Sequence, residues 1–267
     1  MSGLRIPRAH SDSWYDNLAA TQPGYFYPWE SRLASRNGND AFIELVHEYI
    51  TSDSQVLEVG CGHGELALAL AHDAGHITAY DRVGAYIELA ESRKGDLPIT
   101  FLAYNMLDPS HEEELPVAAA SQDVIICRLG PLHWISDARR VCKPGGWLIG
   151  LSPMEEPIPA WSSKLPHRMH YENSGRHSGS GSIHHSVENR LHQAGLTLHS
   201  GWSFDVPEVF ATPESLYTMV TWGLPADEKP SWDDIGYKFE SIFETYAEPD
   251  GIHLRHCRYL WLAQVPA

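Results

Sequence analysis

The chain has 267 residues, 43% of them hydrophobic, enough to bury a sizeable core. Its 19 basic and 35 acidic residues leave a formal net charge of −16, which repels phosphate backbones and argues against a nucleic-acid partner. Four cysteines, Cys61, Cys127, Cys142 and Cys257, are widely spaced with no CxxC pair, and no apolar run is long enough to span a membrane, so a reduced, cytoplasmic chain without structural zinc is expected.

Residues 1–40 read as an aromatic arm, with Trp14, Tyr15, Tyr25, Phe26, Tyr27 and Trp29. In "AFIELVHEYI" that follows, Phe42, Leu45, Val46 and Tyr49 stand at helical spacing. Strands and helices then alternate. Strands are expected at 55–59, 76–80, 99–104, 123–127, 146–151, 197–204 and 256–264, and helices near 64–73, 84–93, 111–119, 136–142 and 184–194. That order predicts an α/β fold, a doubly wound and mostly parallel sheet with helices on both faces. Residues 41–267 form the main domain. Two stretches break the alternation: 152–182, rich in Pro, Gly and Ser, reads as a lid loop, and 207–250, with helices at 213–222 and 231–247, reads as a helical cap before the last strand.

The stretch "VLEVGCGHGELALALA", 56–71, turns from an apolar strand into a helix through Gly60, Gly62 and Gly64. Glycine there lets something approach the backbone closely. Three readings are open: a plain tight turn, a dinucleotide site, or a site for a nucleoside that carries an amino acid and no phosphate. The dinucleotide pattern calls for a small residue where Glu65 stands, and a carboxylate opposes a pyrophosphate. Further along, Asp81 ends the next strand, where an acid can accept hydrogen bonds from ribose hydroxyls. Asn105 and Met106 end the third, and "CKPGGWLIG" turns into the fifth.

The series E-x-G-C-G-x-G, strand-end Asp81, N-M, D-V-I-I-C and K-P-G-G-W-L resembles the class I S-adenosylmethionine-dependent methyltransferases, well over 40–152 and more weakly over 184–204 and 254–264. The resemblance implies a Rossmann-like, seven-stranded sheet with an antiparallel last strand. It implies that Glu58, Gly60, Cys61, Gly62, His63 and Gly64 line the methionine and ribose of S-adenosyl-L-methionine. Asp81 would hold the ribose, Asn105 and Met106 would flank the adenine through the amide oxygen and the thioether, Arg82 would pack over it, and Arg128 would lie at the methionine end.

Methyl transfer from a sulfonium is an in-line displacement in which positioning does much of the work. A base is needed only where the acceptor must lose a proton. His133, after the fourth strand of the alternating series, is the candidate base. Tyr25, Tyr27, Trp29, Arg32, Trp134 and Tyr217 are candidates for the acceptor pocket, and such an aromatic lining suits a small organic molecule. No metal-ligand spacing is found. The expected function is a small-molecule methyltransferase. Alternatives are methylation of an RNA base at a ring nitrogen, a non-catalytic cofactor-binding scaffold, and a nicotinamide oxidoreductase.

Overall fold

The structure is a computed structural model and describes residues 11–165 and 182–267. The first ten residues of the expected arm, and 166–181 of the expected lid, lie outside the described residues. In chain order the elements are α1 (Asp12–Thr21), β1 (Arg32–Leu33), α2 (Gly38–Tyr49), β2 (Gln55–Val59), α3 (Glu65–Leu70), β3 (His76–Asp81), α4 (Gly84–Lys94) and β4 (Ile99–Ala103). They continue as β5 (Gln122–Arg128), α5 (Ile135–Val141), β6 (Cys142–Pro153), α6 (Ile183–Gln193), β7 (Thr197–Phe210), α7 (Pro213–Val220), α8 (Trp232–Tyr246) and β8 (Ile252–Gln264). The chain divides into two compact units. Of the described residues, one comprises 38–154, 182–204 and 258–267, the other 11–37, 155–165 and 205–257.

The first unit carries the doubly wound sheet that the alternation predicts. β6, β5, β2, β3 and β4 pair in parallel in that spatial order, and β8 runs antiparallel to β6. The strands are buried on both faces because α-helical crossovers cover them. Along β2 and β5 the pleat sends Val56, Val124 and Ile126 into one apolar layer with Leu66, Ala67 and Ile87. Leu57, Val59, Ile125 and Cys127 go into the opposite layer with Ile135, Ala138 and Val187. Each large aliphatic side chain buried this way contributes about 1.5–3 kcal/mol. Strand order reverses between β2 and β5, and in open α/β sheets ligands bind beyond the carboxyl ends of the strands at such a point.

The second unit has its own core, with Trp161, Phe210, Leu216, Phe239, Ile242, Ile252 and Leu254 buried together. Thr212 caps α7 by accepting the Ser215 N–H, and Ser231 caps α8 by accepting that of Asp234, which explains where the two helices begin. The arm residues form α1 and the two-residue strand β1, neither of which was expected. β1 pairs antiparallel with Glu208 and Val209 of β7, and it makes the sheet eight-stranded rather than seven.

The helix expected over 111–119 is absent. A short 3₁₀ turn, Pro109–His111, is followed by Glu112 and Glu113 at φ 52° and 57°. Pro116 biases the residue before it away from helix. Leu115 N–H instead donates to Asp137 Oδ2 at 2.7 Å, so a tertiary partner replaces the helical carbonyl.

Candidate active site

Gly60, Gly62 and Gly64 all take positive φ, 69°, 54° and 78°, where a side chain is strained. The turn they form is anchored to the end of β3. Gly60 N–H and Cys61 N–H both donate to the Tyr80 carbonyl, at 2.9 and 3.0 Å. Asp81 accepts the Gly62 N–H on Oδ2 and the Val83 N–H on Oδ1, each at 2.9 Å. The glycines serve different ends. A Cβ on Gly64 would lie 2.7 Å from Phe101 and 2.8 Å from Ala90, so that glycine lets α3 pack. A Cβ on Gly60 would meet nothing nearer than Gly130 Cα and Pro131 Cδ at 3.7 Å, so this backbone can be approached.

Glu58 is 3% exposed at the carboxyl end of β2. One side of its carboxyl bonds the Ala67 N–H of α3, while Oε2 is buried without a hydrogen-bond partner among the described residues. Burial pushes its pKa up to about 8 against the pull of Arg128, so the group is mostly neutral at pH 7. A buried, orphaned acceptor is costly unless something completes it. Asp81 is also raised by burial, opposed by the Val83 and Gly62 N–H groups. The Cys61 thiol is buried and pushed up by that burial, which makes it an inert packing group. His63 is lowered, first by burial and then by Arg93.

Arg128 ends β5. Its guanidinium donates from Nη2 to Glu65 Oε2 at 2.7 Å, and that bond holds Glu65 below the usual carboxylate range. Arg82 is half-buried next to Asp81 and favours its ionised form. Asn105 Oδ1 accepts the Leu107 N–H at 3.1 Å, so the oxygen expected to meet an adenine amino group already holds a backbone donor. Met106 is 1% exposed and packs in the layer with Tyr80 and Leu115. It is a core residue and presents no open face to a base. Sequence reasoning missed Tyr80, whose buried hydroxyl has no hydrogen-bond partner among the described residues. It also missed Glu65 as the partner of Arg128, although the departure of Glu65 from the dinucleotide pattern marked it.

After β5 the chain turns through Leu129, a non-glycine residue at φ 60°, and Gly130. His133 follows, half-buried, with its carbonyl accepting from Ser136. Trp134 was expected to face the acceptor. It is fully buried, stacked 6.0 Å from Trp261, and anchors α5 to the core. The second unit holds the other acceptor-pocket candidates. Tyr25, Tyr27 and Trp29 surround Trp222, with centroids at 5.6, 5.2 and 5.3 Å, and Trp14 completes the ring set at 4.8 Å. Tyr217 donates its hydroxyl to the Pro230 carbonyl and packs edge-on to Trp232 and Phe239 within that unit. Arg32 pairs with Asp250 at 2.9 Å, and Asp250 also accepts from His253. Among the described residues, Glu248, Asp250 and His253 form one exposed group of potential metal-binding side chains.

The first unit's site fits a nucleoside that carries an amino acid. The orphaned Glu58 oxygen suits an ammonium group, and Asp81 has lone pairs left for hydroxyls. The ionised Glu65 in the first turn of α3 would oppose a pyrophosphate.

Residues 56–146 match a family profile described as a methyltransferase domain. Over 149 residues the chain is 25% identical to a ubiquinone biosynthesis O-methyltransferase of Xylella fastidiosa (strain M23), an alignment that takes in 54% of this chain and 61% of that protein. The chain thus spans about three fifths of the length of that curated relative. A 103-residue stretch is 30% identical to the S-adenosyl-L-methionine-dependent Diels-Alderase iccD of Talaromyces variabilis, covering 36% of this chain and 35% of that one. The crystal structure of a functionally unknown protein from Deinococcus radiodurans R1 shares the fold, with a TM-score of 0.65 at 21% identity over 93% of this chain and 97% of that one.

Proposed function

Because residues 56–146 match a methyltransferase-domain profile, we propose that the protein is a class I S-adenosylmethionine-dependent methyltransferase that transfers a methyl group from that cofactor to a small organic acceptor. The observation that carries the cofactor part is the buried, unpartnered Oε2 of Glu58 beside the open backbone of Gly60. When bound, S-adenosylmethionine supplies an electrophilic methyl on a sulfonium. The chain's residues would do the rest. Asp81, fixed by two backbone donors, accepts the ribose hydroxyls. Glu58 accepts the ammonium group, and Arg128 takes the carboxylate. Asn105, its oxygen held by Leu107, offers its NH₂ to the base. His133, on the loop after β5, accepts the acceptor's proton where there is one to lose.

A small acceptor is supported by the name of the Xylella relative and by the net charge of −16, which works against an RNA substrate. The test is incubation with S-adenosylmethionine and a panel of phenols, carboxylic acids and amines, with S-adenosylhomocysteine measured by mass spectrometry. Acceptor-dependent product is expected. Micromolar RNA binding with a steep salt dependence would replace the small acceptor by RNA. Tight cofactor binding with no conversion on any acceptor would favour a chain that uses the cofactor structurally.

A further inference from the structure

Glu58 and Arg128 stand on one face of the sheet at its switch point. Glu58 pairs in register with Ile126 across β2 and β5, and Arg128 lies two residues beyond Ile126, so the pleat points it to the same side. The guanidinium is close enough to lower the ionisation cost of the buried Glu58 carboxyl. These two groups are an acceptor and a donor of the kind an amino-acid zwitterion requires. Of the two, the Glu58 Oε2 lacks a partner among the described residues. Arg128 is already bonded to Glu65, at 2.7 Å, and the two partners differ in exposure: the Arg128 side chain is 30% exposed and that of Glu65 63%.

We propose that Glu65 is an internal stand-in for the ligand's carboxylate, holding the Arg128 guanidinium until the methionine end of the cofactor displaces it. This inference rests on the cofactor reading above. A surface ion pair of this kind is worth at most about 1 kcal/mol, because both ions are well hydrated when apart. Glu65 loses little by swinging into water. A ligand carboxylate held in place by its ribose and ammonium contacts meets Arg128 at high effective concentration. The swap keeps Arg128 extended towards the site in the free protein, and Glu65 becomes the group that competes with the cofactor and helps expel the spent product.

The experiment is calorimetric titration of S-adenosylhomocysteine and of its decarboxylated analogue. It uses the full chain, Glu65→Gln, Arg128→Met and the double variant. Glu65→Gln should tighten S-adenosylhomocysteine by about two- to fivefold, the worth of an exposed pair, and leave the analogue within error. Arg128→Met should weaken S-adenosylhomocysteine by at least about tenfold, spare the analogue, and abolish the effect of Glu65→Gln. Equal effects on both ligands, or weaker S-adenosylhomocysteine binding in Glu65→Gln, overturn the swap and leave the cofactor reading standing. Failure of the wild-type chain to bind either ligand overturns both. Glu65 is exposed, so its variant remains informative even where Arg128→Met fails to fold.

Discussion

Asp81 Oδ2 and the N–H of Gly62 lie 2.9 Å apart, a bond that ties the end of β3 to the middle of the glycine turn. The same carboxylate holds Val83 N–H at the start of α4. Asp81 therefore shapes the turn as well as offering lone pairs to a ribose. Asp81→Ala should weaken S-adenosylmethionine binding by about 1.5–3 kcal/mol, the range for bonds to a charged group, and lower Tm too, since two backbone donors lose their partner. Calorimetry paired with thermal melts checks both; unchanged affinity would remove Asp81 from the site.

Burial places the Glu58 carboxyl at about 8, with Arg128 and the Ala67 N–H pulling it down and Asp81 and Glu65 pushing it up. The folded value lies above the ordinary 4.5, so the native state binds the extra proton. The contribution of this group to stability is full below pH 4.5 and is lost as pH rises through about 8. Glu58→Gln should flatten that part of the stability profile. A cationic ligand group favours the ionised form, so cofactor binding at pH 7 should release close to one proton. Calorimetry in two buffers of different ionisation enthalpy reads this directly, and Glu58→Gln should abolish it. Buffer-independent heats in the wild type would contradict it.

Gly64 and Gly60 should separate folding from binding. Gly64→Ala places a Cβ 2.7 Å from Phe101 at φ 78° and should cost about 1–3 kcal/mol of stability through overpacking and strain. Gly60→Ala meets only 3.7 Å contacts, at φ 69°, and should cost less stability while impairing cofactor affinity more. Denaturant melts and titrations of both variants should show opposite rankings; the same ranking in both would make Gly60 a purely structural residue.

His133→Ala should lower kcat by about 10²–10⁴-fold with an acceptor that must lose a proton, flatten the acidic limb of the pH–rate profile, and leave cofactor affinity intact. Turnover within a few-fold of wild type, together with a lower Tm, would make His133 a support for α5.

The glycine turn, Asp81 and the β–α alternation were legible in the sequence because each depends on neighbours along the chain. Positive φ favours glycine, a strand ends where an acid emerges, and the period of the apolar residues tells strand from helix. Helices α7 and α8 were legible for the same reason, with Thr212 and Ser231 sitting next to the helix starts they cap. What the tertiary structure decided are the matters that depend on residues far apart in sequence. Trp134 and Met106 look like ligand contacts on a strand-end loop, but Trp261 and Tyr80 claim them for the core. Residues 112–115 are good helix formers, yet Asp137 takes the Leu115 N–H. Tyr25, Tyr27 and Trp29 belong with Trp222, about two hundred residues away. The ionisation of Glu58 and its nearness to Arg128 follow from strand order, which puts β5 beside β2. Burial and charge pairing are sums over spatial neighbours, and only the folded chain specifies who those neighbours are.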